Sequence, residues 1–270
     1  MLRIAVGIEY DGAAYAGWQT QQSAPSVQDE LERALSGIAA ERVSLVCAGR
    51  TDAGVHAREQ VAHFDTQAQR PARGWVLGAN GDLPRDISIR WARPVPMHFH
   101  ARYSAEARIY RYLILNRPPR SALASRRATW IYKPLDEARM GEAAALLIGL
   151  HDFSAFRSSE CQSRSPIRHL ERLHVRRQDE WIVIEATANA FLHHMMRNLA
   201  GLLIAVGRGD FPPPRAREVL EGRDRTQGAP TAPADGLYLW AVRYPIAFGL
   251  PVTAPEAAVG GQSAMICGLL

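Results

Sequence analysis

The sequence predicts an α+β fold composed of two similar halves. Its 270 residues, of which 47% are hydrophobic and 22% charged, suffice for one large domain or two smaller ones with a substantial core. Strand-like alternation and helix-like periodicity follow one another in the first part of the chain, and the second part loosely repeats this succession. Two such halves are compatible with two sheets that lie side by side around a cleft.

The first half, residues 1–105, begins with a strand and a helix. Between Arg3 and Tyr10, apolar side chains occupy every second position, which predicts a strand. Ser26 is a typical helix N-cap followed by acidic residues, and apolar residues then recur at helical spacing as far as Ile38. The remaining pattern predicts strands at 42–47, 60–65 and 87–91 and a helix at 73–79.

The second half, residues 106–247, contains the longest apolar helix. The pattern predicts a strand at 108–115, a helix at 136–148, a hairpin of strands 170–175 and 181–186, a helix at 190–207 and a last strand at 237–244. The helix at 136–148 is expected to turn Met140, Ala143, Ala144, Leu147 and Ile148 inward. Three consecutive prolines precede a short helix that begins at Arg215. Residues 248–270 are rich in Ala, Gly and Pro, and we expect a flexible tail there.

The basic residues of the chain are almost all arginines. The net charge is +5 and the isoelectric point is about 9.4, values that suit a nucleic-acid partner without requiring one. Lys133 is the only lysine, which reflects either a coding bias towards arginine or recognition of phosphate by the planar guanidinium. Arginines are concentrated in two spans, 108–127 and 157–177.

Several classes of protein find no support in the sequence. Cys47, Cys161 and Cys267 are far apart, so neither a disulfide framework nor a zinc site is predicted. Rossmann and P-loop signatures are also missing. The chain enters a strand almost at once, which predicts no signal peptide. The most apolar segment, 191–206, contains His, Arg and Asn and is not expected to span a membrane. We therefore expect a cytoplasmic protein.

The most informative segment is the loop at 48–57, between two predicted strands. Gly49 and Gly54 permit backbone geometry that other residues avoid, and Arg50, Thr51 and Asp52 lie between them. A loop held by two strands is a common place for reactive side chains. A tight turn in which Asp52 caps backbone N–H groups is the alternative interpretation.

This loop also belongs to a set of motifs that resembles the TruA family of tRNA pseudouridine synthases. The loop reads G-R-T-D-A-G-V-H-A at 49–57, and A-F-L-H-H-M-M-R-N occupies 190–198. Further blocks follow the order of the family at 10–19, 108–112, 153–156 and 236–239. Together they cover roughly residues 3–245, and several ordered blocks are far more specific than one short motif.

The resemblance implies a fold, an activity and partners. It implies two halves with mainly antiparallel sheets, joined side by side around a central cleft. It implies that the protein isomerises uridine to pseudouridine at positions 38, 39 and 40 of the tRNA anticodon stem-loop. That reaction involves no redox change and no group donor, so no cofactor is expected. It also implies a homodimer whose two subunits form basic clefts for tRNA.

Two charged residues are predicted to form the centre of the site. Asp52 is the candidate catalytic carboxylate, which must be ionised and shielded from competing water. Arg197 lies in the predicted apolar helix and should have a partner there, either in a structural salt bridge or in water at the helix edge. The resemblance instead matches Arg197 with the family arginine that pairs with the catalytic aspartate.

Three further residues are candidates for binding the substrate. Arg50 matches a family arginine that displaces and holds the target nucleotide, although a plain surface arginine is the alternative. Tyr110 matches the tyrosine that stacks on the uracil, and Leu237 matches an apolar residue beside it. Strand alternation places Tyr112 on the same face as Tyr110, so spacing alone does not distinguish them.

No metal site is predicted. In a helix that spans 190–207, His193 would share a face with Arg197, whereas the adjacent His193 and His194 would not share a face with each other, and no H-E-x-x-H motif is present. His56 offers a second ligand beside Asp52 without an obvious third. Trp18, in a polar loop, is a candidate RNA contact. Two rival functions stay open: an RNA-binding module without catalysis, and a hydrolase that uses Asp52 as general base with a second carboxylate or a metal.

Overall fold

The computed structural model describes residues 1–251, which form ten strands and five α-helices. The strands are β1 (Leu2–Tyr10), β2 (Val46–Cys47), β3 (His56–Thr66), β4 (Ile87–Val95), β5 (Ala107–Asn116), β6 (Thr129–Ile131), β7 (Gly149–Asp152), β8 (Ile167–Gln178), β9 (Trp181–Ala188) and β10 (Leu237–Arg243). The helices are α1 (Val27–Ala39), α2 (Ala72–Asp82), α3 (Glu137–Ala145), α4 (Met195–Arg208) and α5 (Arg215–Gly222). The predicted α+β fold is confirmed.

The ten strands form one continuous sheet. Its main order is β4-β1-β3-β10-β5-β9-β8-β7, while β2 pairs with β3 and β6 pairs with β5. Nearly all pairs are antiparallel, but β10 runs parallel to β3 and antiparallel to β5. The last strand of the chain therefore joins the sheet of the first half to that of the second. The division into domains at 1–105 and 106–247 stays a prediction.

The helices cover one face of this sheet and form the main core with it. Alternate residues of β5 show the division, because Tyr112 and Ile114 belong to the main core whereas Leu113 and Leu115 pack in a smaller cluster on the other face. All five helices contribute buried residues to the main core. Ser26 caps α1 as predicted, since its hydroxyl accepts the N–H of Asp29 at 3.1 Å.

Some predicted boundaries are wrong for local reasons. Helix α4 begins at Met195 rather than at Ala190, because His194 has a φ of 63° and ends the preceding loop in a left-handed conformation. Helix α3 ends at Ala145, so helical spacing no longer directs Ile148 inward, and that residue is 41% exposed. The predicted strand at 42–47 is limited to β2.

The predicted tail is described only at its start. Phe248 packs edge-on against Phe99, with ring centroids 5.1 Å apart, and is therefore part of the folded domain. Residues 252–270 lie outside the described part of the chain. Within residues 1–251, no helix has the length and apolar character needed to cross a membrane.

Candidate active site

The loop that precedes β3 is held by hydrogen bonds from two neighbouring strands. The N–H of Ala48 donates to the carbonyl of Val61 at 2.8 Å, and the side-chain amide of Gln60 donates to the carbonyl of Gly49 at 2.6 Å. On the side of β1, the hydroxyls of Tyr10 and Thr51 are 2.7 Å apart. These contacts fix the backbone on both sides of the position at which Asp52 emerges.

The N-terminal loop packs directly against the same segment. The N–H of Trp18 donates to the carbonyl of Thr51 at 3.0 Å. Gly17 has a φ of 101°, and a Cβ at this position would lie 2.6 Å from that carbonyl oxygen, so the close approach requires glycine. The side chain of Trp18 is only 1% exposed, which makes its predicted contact with RNA wrong. Its indole is part of the core beneath the loop.

Asp52 is paired with Arg197, as the sequence predicts. The Nη1 of Arg197 lies 3.4 Å from Oδ2 of Asp52, and the Asp52 side chain is 22% exposed. The guanidinium is fixed from the other side, because its Nε donates to the carbonyl of Ala232 at 2.9 Å, while the N–H of Ala232 donates back to the carbonyl of Arg197. The pair therefore links the loop at 48–57, in the first half of the chain, to α4 in the second half.

Two histidines complete the surroundings of this carboxylate, a contact that the sequence pattern does not predict. Nε2 of His193 lies 3.3 Å from Oδ1, and Nε2 of His194 lies 3.4 Å from Oδ2. Both imidazoles reach Asp52 because they precede α4, so the helical spacing used to separate them does not apply. Burial lowers the pKa of His194 despite the opposing charge of Asp52. The signal available in the sequence was two polar residues inside an apolar motif, four positions or fewer from Arg197.

These three side chains also alter the expectation about metals. The possible ligand atoms of Asp52, His193 and His194 all lie within 4.8 Å of one another.

His56, the residue considered as a second metal ligand beside Asp52, lies elsewhere. It is buried, its Nδ1 is 3.1 Å from Asp11, and its ring stacks on Tyr238 at 4.6 Å. The hydrogen bond with His56 lowers the pKa of Asp11 to about 2.

An aromatic and apolar surface lies beside Asp52. The ring of Tyr110 is 8% exposed and meets that of Phe191 at 4.8 Å in an edge-to-face contact. Burial, followed by the charge of Asp52, raises the pKa of Tyr110, so its phenol is neutral at physiological pH. On the neighbouring strand β10, Leu239 lies opposite Tyr110. The buried Leu237 lies two residues earlier, on the same face and opposite Tyr112.

The hydroxyl groups distinguish the two tyrosines of β5. That of Tyr112 is 2.6 Å from the Thr129 hydroxyl and donates to the carbonyl of Pro233 at 2.9 Å, which gives it a structural role. The hydroxyl of Tyr110 is close to the loop at 48–57, since a Cβ added to Gly49 would lie 3.8 Å from this hydroxyl. The geometry therefore favours Tyr110, as the motif does.

The arginines serve more than one purpose. Arg50 is exposed, two residues before Asp52, where it can meet a bound ligand. Arg108, by contrast, is buried and donates to the carbonyl of Ala48 at 2.8 Å, so that it supports the loop from below. Arg111 is 4% exposed and pairs with Glu185 at 2.8 Å. Part of the arginine concentration in span 108–127 is thus structural.

The fold and the site place a carboxylate, paired with an arginine, beside an aromatic ring, an arrangement expected of an enzyme that acts on a planar base. Comparisons with known proteins specify the family. The family described as tRNA pseudouridine synthase matches residues 7–104 and 143–245.

The chain is also similar to proteins named tRNA pseudouridine synthase A, the TruA enzyme. That of Methylococcus capsulatus is 59% identical over 249 residues, which are 92% of either chain. That of Nitrosococcus oceani is 54% identical over 93% of this chain and 96% of its own. The protein of Pseudomonas aeruginosa is 54% identical over 92% of this chain and 88% of its own. The chain belongs to the TruA family of tRNA pseudouridine synthases.

Proposed function

We propose that this protein isomerises uridine to pseudouridine at positions 38, 39 and 40 of the tRNA anticodon stem-loop, with Asp52 as its catalytic carboxylate and without a cofactor. The observation that carries this proposal is the Asp52–Arg197 pair, at 3.4 Å, beside the ring of Tyr110. The names of relatives that are more than half identical to this chain supply the substrate class.

The bonds and protons of the reaction balance with the nucleotide and water alone. The bond between N1 of uracil and C1′ of ribose breaks, the base rotates, and C5 bonds to C1′. The proton on C5 is lost, and N1 takes up a proton. Asp52 acts as an ionised group, either as a nucleophile on the sugar or the base or as the acceptor of a proton from the sugar. The guanidinium of Arg197 favours that ionised form in the half-buried cleft.

Access to C1′ requires the uridine to leave its stacked position in the RNA. Tyr110 then receives the displaced uracil on its ring, and Leu237 borders the base on the neighbouring strand. Arg50, exposed at the edge of the loop, binds the displaced nucleotide through phosphate or occupies the place it left. Recognition of the stem-loop by shape accommodates three adjacent target positions.

We further propose that the protein acts in the cytoplasm as a homodimer, with each tRNA in a basic cleft formed by both subunits. The net charge of +5 supports attraction of the RNA. Affinity for tRNA should therefore fall as salt concentration rises, and the oligomeric state is measurable by sedimentation.

A tritium-release assay tests the proposed activity. Unmodified tRNA carrying 5-tritiated uridine at position 39 only is incubated with the protein in the presence of EDTA and without added cofactor. We expect release by the wild-type protein and none by Asp52→Ala, with tRNA binding retained. Binding without release by the wild-type protein would favour an RNA-binding module. Cleavage of the RNA or of its glycosidic bonds that occurs only without EDTA and releases no tritium would favour a metal-dependent hydrolase.

A further inference from the structure

Asp52, His193 and His194 form a compact set of potential metal ligands, which we call the Asp–His–His cluster. Among the residues that the structure describes, it is the one set of three or more such side chains with closely spaced ligand atoms. The carboxylate oxygens lie 3.3 Å and 3.4 Å from the two Nε2 atoms. The proposed reaction requires the carboxylate but gives the histidines no role, so their convergence calls for an explanation.

The spacing within the cluster suits a tetrahedral ion. Zinc bonds to imidazole nitrogen and carboxylate oxygen are about 2 Å long, which places neighbouring ligand atoms roughly 3.3 Å apart. The distances from Nε2 of His193 to Oδ1 of Asp52, 3.3 Å, and from Nε2 of His194 to Oδ2, 3.4 Å, are close to this value, and all the ligand atoms lie within 4.8 Å of one another. The side chains of His193 and His194 are 33% and 28% exposed, so their rings have room to adjust and the fourth position of the ion faces solvent.

The backbone presents these ligands in fixed positions. The carbonyl of His193 accepts the N–H of Ser158 at 3.0 Å, and that of His194 accepts the N–H of Asn198 in the first turn of α4. His194 has a φ of 63°, and its ring lies beside that of His193, with centroids 4.1 Å apart. Such a conformation is costly for a residue other than glycine, and this kind of strain is concentrated at functional sites.

We propose that the Asp–His–His cluster binds a divalent transition-metal ion, Zn²⁺ above all, and that the bound ion inhibits the enzyme by occupying Asp52. Two imidazoles and one carboxylate favour zinc and its neighbours in the first transition row over Mg²⁺ and Ca²⁺, which prefer oxygen ligands. A carboxylate bound to the ion is withdrawn from the sugar. The inhibitory part rests on the proposed function, whereas the binding part does not.

Arg197 makes the binding reversible. Its Nη1 is 3.4 Å from the same Oδ2 that His194 faces, so a dication in the cluster is repelled by the guanidinium. Arg197 also donates to the carbonyl of Ala232 and is therefore held close. We expect an ion that exchanges freely and is removed by chelators, as befits an inhibitor rather than a structural metal.

Binding is tested with Co²⁺ and Zn²⁺ alone, on tag-free protein treated with chelator. We expect one Co²⁺ to bind per chain, with the visible absorption of a tetrahedral nitrogen–oxygen site. Zn²⁺ should displace the Co²⁺, and calorimetry measures the affinity for Zn²⁺. His193→Asn, His194→Asn and Asp52→Asn should each weaken Zn²⁺ binding at least tenfold. Asparagine is chosen at position 194 because it tolerates the left-handed conformation. His169→Asn, at an exposed position on β8, is the matched control and should bind like the wild type.

Circular dichroism confirms that each variant is folded. Wild-type protein that binds no ion, or variants that bind as well as His169→Asn, would overturn the proposal.

Inhibition is tested in the tritium-release assay at constant Mg²⁺, which occupies the phosphates of the tRNA. Zn²⁺ should abolish release by the wild-type protein, EDTA should restore it, and His193→Asn should need at least tenfold more Zn²⁺ for half-inhibition of its own rate. Binding without inhibition would refute the inhibitory role. If the wild-type protein releases no tritium at all, the proposed function fails, while the Co²⁺ titration still decides whether the cluster binds metal.

Discussion

Asp52 and Arg197 are 145 positions apart in the chain, yet Nη1 of the arginine lies 3.4 Å from Oδ2 of the aspartate. The pair exists because β10 inserts between β3 and β5 and brings the two halves into one sheet. The guanidinium is bound to Ala232, five residues before β10 begins, so the same segment that joins the halves also places the cation.

Replacement of Arg197 tests whether its charge or its structural contact matters. Arg197→Met removes both the cation beside Asp52 and the hydrogen bond to Ala232, and we expect kcat/KM to fall at least 100-fold. Arg197→Lys keeps a cation and should recover at least tenfold of that loss. Single-turnover rates at saturating protein separate the chemical step from binding. Equal losses in both variants would mean that the hydrogen-bonding geometry, rather than the charge, is essential.

Tyr110 separates stacking from proton transfer. Its ring is buried against Phe191, and its raised pKa keeps the phenol neutral. Tyr110→Phe retains the ring and should bind tRNA with unchanged affinity, whereas Tyr110→Ala should weaken binding by about 1–3 kcal/mol. The rate of pseudouridine formation by Tyr110→Phe then reports the hydroxyl alone. Tyr112→Phe is the matched comparison, because its hydroxyl contacts Thr129 and Pro233 away from the reacting base.

The contrast between His193 and Arg197 shows what the sequence can predict about the site. Arg197 was predictable because a cation in an apolar segment needs a partner, and the motif named that partner. The histidines were not, because their positions depend on where α4 begins. A helix from Ala190 separates the two rings, whereas a helix from Met195 lets both reach Asp52. Backbone conformation at a single residue, His194, decides between these arrangements.

The fold shows the same division between local and distant interactions. The N-cap at Ser26 and the strand β1 follow from local sequence patterns, and both predictions are confirmed. The placement of β10 depends on residues that are distant in sequence, since Tyr238 pairs with His56 and also with Arg111. Trp18 likewise lies in a polar stretch, and only the packing of that stretch against Thr51 reveals that its indole is buried.

Gly17 is expected to be essential for the shape of the loop that carries Asp52. In Gly17→Ala, the new Cβ would lie 2.6 Å from the carbonyl oxygen of Thr51, at a φ of 101° that alanine avoids. We expect a loss of about 1–3 kcal/mol in the free energy of unfolding and a clear loss of activity. Urea unfolding and tritium release measure the two effects.

A matched control for this substitution lies in α3. Gly141→Ala adds the same methyl group where nothing lies within 4 Å of it, inside a helix. It should stabilise the protein by about 0.5–1 kcal/mol and leave activity unchanged. If Gly17→Ala behaved like Gly141→Ala, the close approach of the N-terminal loop to Thr51 would be irrelevant to the site.

His63 gives the protein a pH-dependent stability that is independent of the active site. The ring is 4% exposed, its Nδ1 accepts the N–H of Ala101 at 3.1 Å, and burial, assisted by the charge of Arg3, lowers its pKa to about 4. The unfolded chain therefore takes up a proton near pH 6.5, whereas the folded protein does so only near pH 4. Between these values the unfolded state binds more protons, so stability falls as pH falls, by up to about 3 kcal/mol.

His63→Asn tests this prediction, because asparagine keeps an acceptor for the N–H of Ala101 but cannot titrate. The difference in unfolding free energy between the variant and the wild type, measured in urea at pH 7 and pH 4.5, should shift in favour of the variant at the lower pH. His100 lies at a ring-centroid distance of 4.9 Å and also has a lowered pKa, so His100→Asn serves as a parallel measurement. A difference that stays constant between the two pH values would show that His63 is not protonated on unfolding.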